Sequence, residues 1–302
     1  MYKPLLLASL SLLASATDYK HFDCGTDSSA ATKDFLHMVQ SLHSNTSHGS
    51  PAARAASLLA RDAGPITVPA IFHIVTSTAK KNDITPQMAQ DQMHALNGAY
   101  NAYNIRFSLA NLTWTINDAW ALGATDADDL AMKQALRQST YATLNIYFQT
   151  DLAGSILGKC TLPSSIGVGV GVGSGGRGPV PASVYANDGC NVQAGTMPNG
   201  AVAGYNEGKT AVHETGHWLG LLHVFEGNSC DGEGDFIADT PQQSASTDGC
   251  PTSPPKDSCP RVAGLDAVHN YMDYSADACY TVFTALQQAR MASMWGMYRE
   301  GK

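Results

Sequence analysis

The chain has 302 residues, 44% of them hydrophobic and 15% charged, with a formal net charge of −8. That length carries one large domain or two modest ones, and the apolar share excludes a disordered polypeptide. The acidic balance without a Lys/Arg cluster excludes the electrostatic footprint of a nucleic-acid or anionic-membrane partner, and the lack of a fixed period excludes collagen and coiled coil.

Lys3 gives a short positive start, Leu5 to Ala14 reads LLLASLSLLA, and Ala14-Ser15-Ala16 is a small-residue cleavage site. An apolar run this short spans about half of a bilayer core, so residues 1–16 read as a signal peptide and the protein as secreted and extracellular. Outside the cell disulfides persist, which gives meaning to Cys24, Cys160, Cys190, Cys230, Cys250, Cys259 and Cys279. Seven is odd, and Cys24 stands far from the other six, whose connectivity the spacing leaves open. Asn45-Thr46-Ser47 and Asn111-Leu112-Thr113 are glycan acceptors in a eukaryotic secretory pathway.

Residues 17–62, rich in Ser, Ala, Thr and His, suit a removable pro-segment, with Ser44 to Arg54 as an exposed linker and cleavage after Arg54 or Arg61. A catalytic domain would then occupy 63–302. Ile66 to Val75 reads as a strand with Pro69 near its start. Thr85-Pro86 opens a helix with Ala89, Met93, Leu96, Tyr100 and Tyr103 on one face. A strand over Ile105–Thr115, a helix over Asp126–Gln138 and a strand over Leu144–Phe148 follow. Alternating strands and helices imply a subdomain with a mixed sheet. From Ile166 to Gly178 Ile and Val alternate with Gly at first, which reads equally as a binding strand or a loop. Residues 226–268 hold Pro241, Pro251, Pro254, Pro255 and Pro260 and three cysteines, an irregular segment stapled by disulfides, and Thr284-Ala285-Leu286-Gln287 opens a final helix with a capping box.

The chemistry lies in Ala211-Val212-His213-Glu214-Thr215-Gly216-His217-Trp218-Leu219-Gly220-Leu221-Leu222-His223, on a helix expected at about 209–220. His213 and His217 project from one helix face, one turn apart, and two imidazoles there take two corners of a tetrahedral Zn²⁺ site. Glu214 stands beside such a metal without binding it, placed to deprotonate the activated water. Gly220 lets the chain turn so that His223 comes back as a third ligand, leaving one corner open, as in catalytic zinc sites. Two alternatives stand beside this reading: a site whose third ligand is Glu226 or Glu233, and a secreted binding protein that keeps the fold without catalysis.

The extended motif is the metzincin signature. Asn270-Tyr271-Met272-Asp273-Tyr274 resembles the Met-turn beneath the zinc of those enzymes. With Trp218-Leu219-Gly220-Leu221 and Asp239-Thr240-Pro241, the chain resembles the pappalysin family, and within it the secreted extracellular metalloproteases of fungi. The resemblance implies an α+β, metzincin-like zincin, with a twisted mixed sheet and helices in an N-terminal subdomain and a mostly irregular, disulfide-stapled C-terminal subdomain. It implies a secreted endopeptidase with one Zn²⁺ per chain, acting on protein or peptide substrates. His213, His217 and His223 match the ligands, Glu214 the general base, Met272 the Met-turn residue and Tyr274 an oxyanion-stabilising tyrosine. It also suggests the bridges Cys250–Cys279 and Cys230–Cys259, leaving Cys160–Cys190. Related enzymes suggest Ca²⁺ at the acidic loop of Asp231, Glu233, Asp235 and Asp239. Cys24, in Phe22-Asp23-Cys24-Gly25-Thr26, is expected to keep the precursor latent by taking the open zinc position, so that Cys24→Ala is active without processing; the alternative is an unpaired cysteine that forms a disulfide during folding.

Overall fold

The computed structural model describes residues 21–46, 64–164 and 182–302. The expected signal peptide, both candidate cleavage sites and the glycine–valine run lie outside the described residues.

Strand β1 (Ile66–Thr76) is buried from Ala70 onward, as expected of an Ile/Val run flanked by strands on both sides. It pairs in parallel with β2 (Ile105–Ile116) along its whole length and with β3 (Leu144–Gln149) only from Ala70. Pro69 therefore sits where β1 has a single neighbour, and its missing N–H costs no β3 pairing. β5 (Cys190–Gln193) continues the sheet in parallel, and β4 (Gly158–Cys160) closes it antiparallel, giving the order β2-β1-β3-β5-β4.

Helix α2 (Pro86–Tyr100) starts where Thr85 accepts from the Met88 N–H. It ends at Tyr100; Tyr103, expected on the same helix, falls in a separate turn over Asn101–Tyr103. One sheet face is covered by Ala89, Met93 and Leu96 of α2 together with Ala211 and Val212 of the later helix α6 (Lys209–Trp218). The opposite face carries Ala121 of the short α3 (Asp118–Leu122) and Met132 of α4 (Asp126–Leu136). The sequence reading missed α3, although its signals are present: Asn117 caps the start and Gly123 takes a left-handed conformation at the end. α4 stops two residues before the expected end because the Gln138 N–H goes to Asn145 Oδ1. α5 (Ala182–Asn187) precedes β5.

Beyond α6 the described chain is mostly irregular until α7 (Ala285–Met294), which opens with the capping box of Thr284 and Gln287. Buried carboxylates hold this region where ladders do not. Asp273 accepts from the Thr247 N–H at 2.9 Å and from Gln243 Nε2 at 3.1 Å, and Asp266 accepts from the Ser258 N–H at 2.8 Å. The structure pairs Cys230 with Cys259 and Cys250 with Cys279 here, and Cys160 with Cys190 across β4 and β5.

The described part of the expected pro-segment is more ordered than its composition suggests. Lys33–Thr46 form helix α1, and Ser44 to Thr46, expected in the linker, complete its last turn. Phe35 and Val39, one turn apart on α1, are fully buried against Leu222, Met294 and Tyr298. Leu36, Met38 and Leu42 pack around them, so the helix docks by one apolar face.

Candidate metal centre

α6 is held in place by α2: Tyr100 donates to the Val212 carbonyl at 2.8 Å, and Gln92 Nε2 to the Gly208 carbonyl at 2.9 Å. At its start, Asp277 Oδ2 accepts from the backbone N–H groups of Glu207 and Lys209, at 2.8 and 3.4 Å. At its end, the Leu221 N–H reaches the Gly216 carbonyl at 2.9 Å and the Gly220 N–H reaches the His217 carbonyl at 2.8 Å. Those are the two bonds of a Schellman ending, and Gly220 at φ +88° is the left-handed residue it needs. The turn carries His223 back to the helix face.

His213 Nδ1 lies 2.7 Å from the Tyr271 carbonyl, and His217 Nδ1 lies 2.8 Å from the Leu221 carbonyl. A carbonyl only accepts, so both Nδ1 atoms carry the proton and both Nε2 atoms present lone pairs. His217 Nε2 is 3.1 Å from His213 Nε2 and 3.1 Å from His223 Nε2. Burial pushes all three imidazoles below their ordinary pKa, His217 to about 4, so they are neutral. Converging lone pairs repel unless a cation lies between them, and neutral imidazoles are the form that binds zinc. The donor set therefore fits the metal.

Cys24 Sγ completes the group, 3.6 Å from His217 Nε2, and the ligand atoms of all four residues lie within 4.8 Å of one another. Burial and the charge of Glu214 push this thiol up; a bound cation would act in the opposite sense. The strap that carries Cys24 runs parallel to β4: the Leu157 N–H donates to the Asp23 carbonyl and the Gly25 N–H to the Gly158 carbonyl, both at 2.8 Å. Phe22 packs its ring against His213, Tyr205 and Tyr274.

Glu214 is fully buried; Thr26 Oγ1 donates to its Oε2 at 3.2 Å, while Oε1 has no partner. Burial raises its carboxyl to about 8. Met272 passes directly beneath α6, where a Cβ on Gly216 would lie 2.5 Å from the Met272 sulfur, so only glycine admits this approach. Tyr274 OH stands 3.3 Å from His223 Nε2 and accepts from the Cys24 N–H at 3.2 Å.

Other expected residues fall elsewhere. Glu226 lies 3.9 Å from His223 Nδ1, on the side away from the converging nitrogens, and Glu233 pairs with His43 at 2.8 Å. The acidic loop does not converge. Asp239 accepts from Thr284 Oγ1 and the Leu286 N–H at the start of α7, Asp231 is exposed, and Asp235 is buried with Oδ2 unpartnered. Asn111 is exposed on β2, and Asn45 lies in the last turn of α1. Sequence reasoning missed Thr26 and Asp277. Only the position of Thr26, two residues after Cys24, pointed toward the site; nothing local marked Asp277.

Comparison with known proteins agrees with this geometry. A family model described as pregnancy-associated plasma protein-A matches residues 173–295. An extracellular metalloprotease of Aspergillus oryzae is 46% identical over 265 residues, 79% of this chain and 79% of the relative. One of Neurospora crassa is 40% identical over 294 residues, 97% and 94% of the two chains. Mature mirolysin of Tannerella forsythia, solved with a cleaved peptide, has a TM-score of 0.61 at 27% identity, over 77% of this chain and 92% of that one. A promirolysin variant from the same organism shares the fold over 91% of this chain and 94% of its own, with a TM-score of 0.64 at 24% identity. Among the described residues no helix is long and apolar enough to cross a membrane. The chain is a metalloendopeptidase of the pappalysin family, within the metzincins.

Proposed function

We propose that the chain is a secreted zinc-dependent endopeptidase that hydrolyses extracellular proteins and is made as a latent precursor. The observation that carries this reading is the convergence of the Nε2 atoms of three neutral imidazoles, with the buried Glu214 next in the chain to the first of them and its Oε1 unpartnered. His213, His217 and His223 would hold the metal. A bound zinc ion supplies a Lewis acid and a water of lowered pKa.

Glu214 would orient the attacking water and accept its proton at a carboxylate oxygen. The same carboxyl then delivers the proton to the leaving amine. Tyr274, whose hydroxyl is engaged by Cys24 in the precursor, is freed when the strap leaves and donates to the carbonyl oxygen of the scissile bond.

With the strap in place the Cys24 sulfur stands among the three imidazoles, where it would join them on a bound zinc ion and exclude the attacking water, and Thr26 holds Glu214. Loss of residues 1–16 on secretion and of the segment from 17 to about 62, by cleavage after Arg54 or Arg61, would open the cleft; Asn45 and Asn111 would carry glycans. Calcium has weaker support, because Asp239 is engaged at the start of α7 and Glu233 with His43, so the four acidic side chains of the loop do not form one ligand cluster.

Digestion of a peptide mixture by the processed protein, with and without a zinc chelator, tests the reading. Cleavage that stops with chelator and returns with zinc is expected. A fully zinc-loaded, processed protein that cleaves nothing would overturn it in favour of a binding protein.

A further inference from the structure

A second buried constellation lies behind α6 and has no part in the mechanism above. Arg299, in the last turn of the described chain and past the end of the family match, is fully buried. Its Nη2 and Nη1 pair with Asp188 Oδ1 and Oδ2 at 3.0 and 3.1 Å, a bidentate fork. Asp188 also pairs with Arg137 at 3.2 Å and accepts from Trp218 Nε1 at 3.2 Å. The guanidinium lies 3.5 Å over the Trp218 ring, and Arg299 Nε donates to the Trp218 carbonyl at 3.1 Å.

That carbonyl is the significant partner. A helix leaves its last four carbonyls without intrahelical donors. In α6 the Schellman bonds serve Gly216 and His217, and the next carbonyl, that of Trp218, goes to Arg299. A cation at a helix C-terminus also opposes the partial negative charge gathered there. Trp218 directly follows the ligand His217, and the turn to His223 begins one residue later. Whatever fixes this helix end fixes the spacing of two of the three imidazoles.

On the zinc reading above, we infer that Arg299 is a positioning residue. Clamped by Asp188, it caps the C-terminal end of the zinc helix and holds His217 and His223 at ligand spacing. Arg137 serves the same carboxylate but stacks on Tyr185 rather than on Trp218, which makes it the natural control.

The test uses the full-length precursor as wild type, R299K, R299M and R137M, each loaded with zinc. A chromophoric chelator in excess strips the metal while thermal unfolding is recorded in parallel. Supporting residues behind metal ligands typically change metal affinity 10- to 100-fold. R299M is therefore expected to lose zinc about tenfold faster than wild type, and R299K by an intermediate factor, because an ammonium lacks the fork. R137M should unfold at a lower temperature yet release zinc at the wild-type rate. If R299M does not fold, R299K decides the matter by the same comparison. Wild-type release rates in both Arg299 variants, or release from R137M as fast as from R299M, would overturn the inference and leave the network purely structural. A wild-type precursor that holds no zinc would overturn the zinc reading itself, and this inference with it.

Discussion

Replacing Cys24 by Ala in an uncleaved precursor measures how latency divides between the sulfur and the rest of the segment. Changing Arg54 and Arg61 to Gln in the same chain guards against processing. Without its sulfur the strap keeps the two backbone bonds to β4 and its neighbour, and the bond from the Cys24 N–H to Tyr274. Such bonds are worth about 1 kcal/mol each. Phe22 remains 4% exposed, and Phe35 and Val39 of α1 remain fully buried. Removing each of these side chains from water contributes roughly 1.5–3 kcal/mol. If only about 3 kcal/mol survives the entropy of ordering the segment, fewer than about one molecule in 100 has an open cleft. Cys24→Ala alone should therefore raise precursor activity to no more than about one or two per cent of the processed enzyme, well short of the full activity expected from the sulfur alone. Adding Phe35→Ala and Val39→Ala removes several kcal/mol more and should raise activity at least another ~10-fold. Initial rates on a quenched fluorescent peptide, with chain integrity checked on a denaturing gel, give the comparison. A single variant as active as the processed enzyme would show that the sulfur alone holds the segment. A triple variant no faster than the single one would show that α1 holds nothing.

Glu214→Ala should abolish hydrolysis while zinc stays bound, because all three imidazoles survive; turnover in the metal-loaded variant would remove Glu214 from its role. Tyr274→Phe should lower kcat by ~10²-fold with a smaller change in KM, as for the loss of one oxyanion donor, and an unchanged kcat would reduce Tyr274 to packing. Asp277 gives a pH signature, since burial pushes its carboxyl up to about 7. A raised acid holds its proton more tightly folded than unfolded, so its stabilising contribution is complete below the ordinary carboxylate range and is lost as pH climbs from about 4 to 7. Asp277→Asn keeps an oxygen for the Glu207 and Lys209 N–H groups, and its urea midpoint should gain on wild type across that window; a pH-independent difference would contradict the assignment.

Local periodicity explains what could be read from the sequence. His213 and His217 share a face because a helix repeats every 3.6 residues, and Gly220 marks the turn because few other residues take a positive φ there. The caps at Thr85 and Thr284 are likewise contacts within three residues. The pairing of six cysteines was legible only through resemblance, because spacing leaves it open.

Other features depended on contacts that no local rule reaches. Cys24 meets His217 across 193 positions of sequence, with the strap running along β4 and held by Tyr274 and Tyr205. Glu226 and Glu233, plausible ligands by type and distance along the chain, are turned away from the three nitrogens. The four acidic residues of one short loop look like a cluster in sequence, yet one caps α7, one pairs with α1, one is exposed and one is buried on Thr240 and the Ile237 N–H. Helix and turn geometry is set by backbone sterics within a few residues, so its signals are written locally. Which distant side chains meet is decided by how the sheet and helices pack as a whole, and only the tertiary structure carries that information.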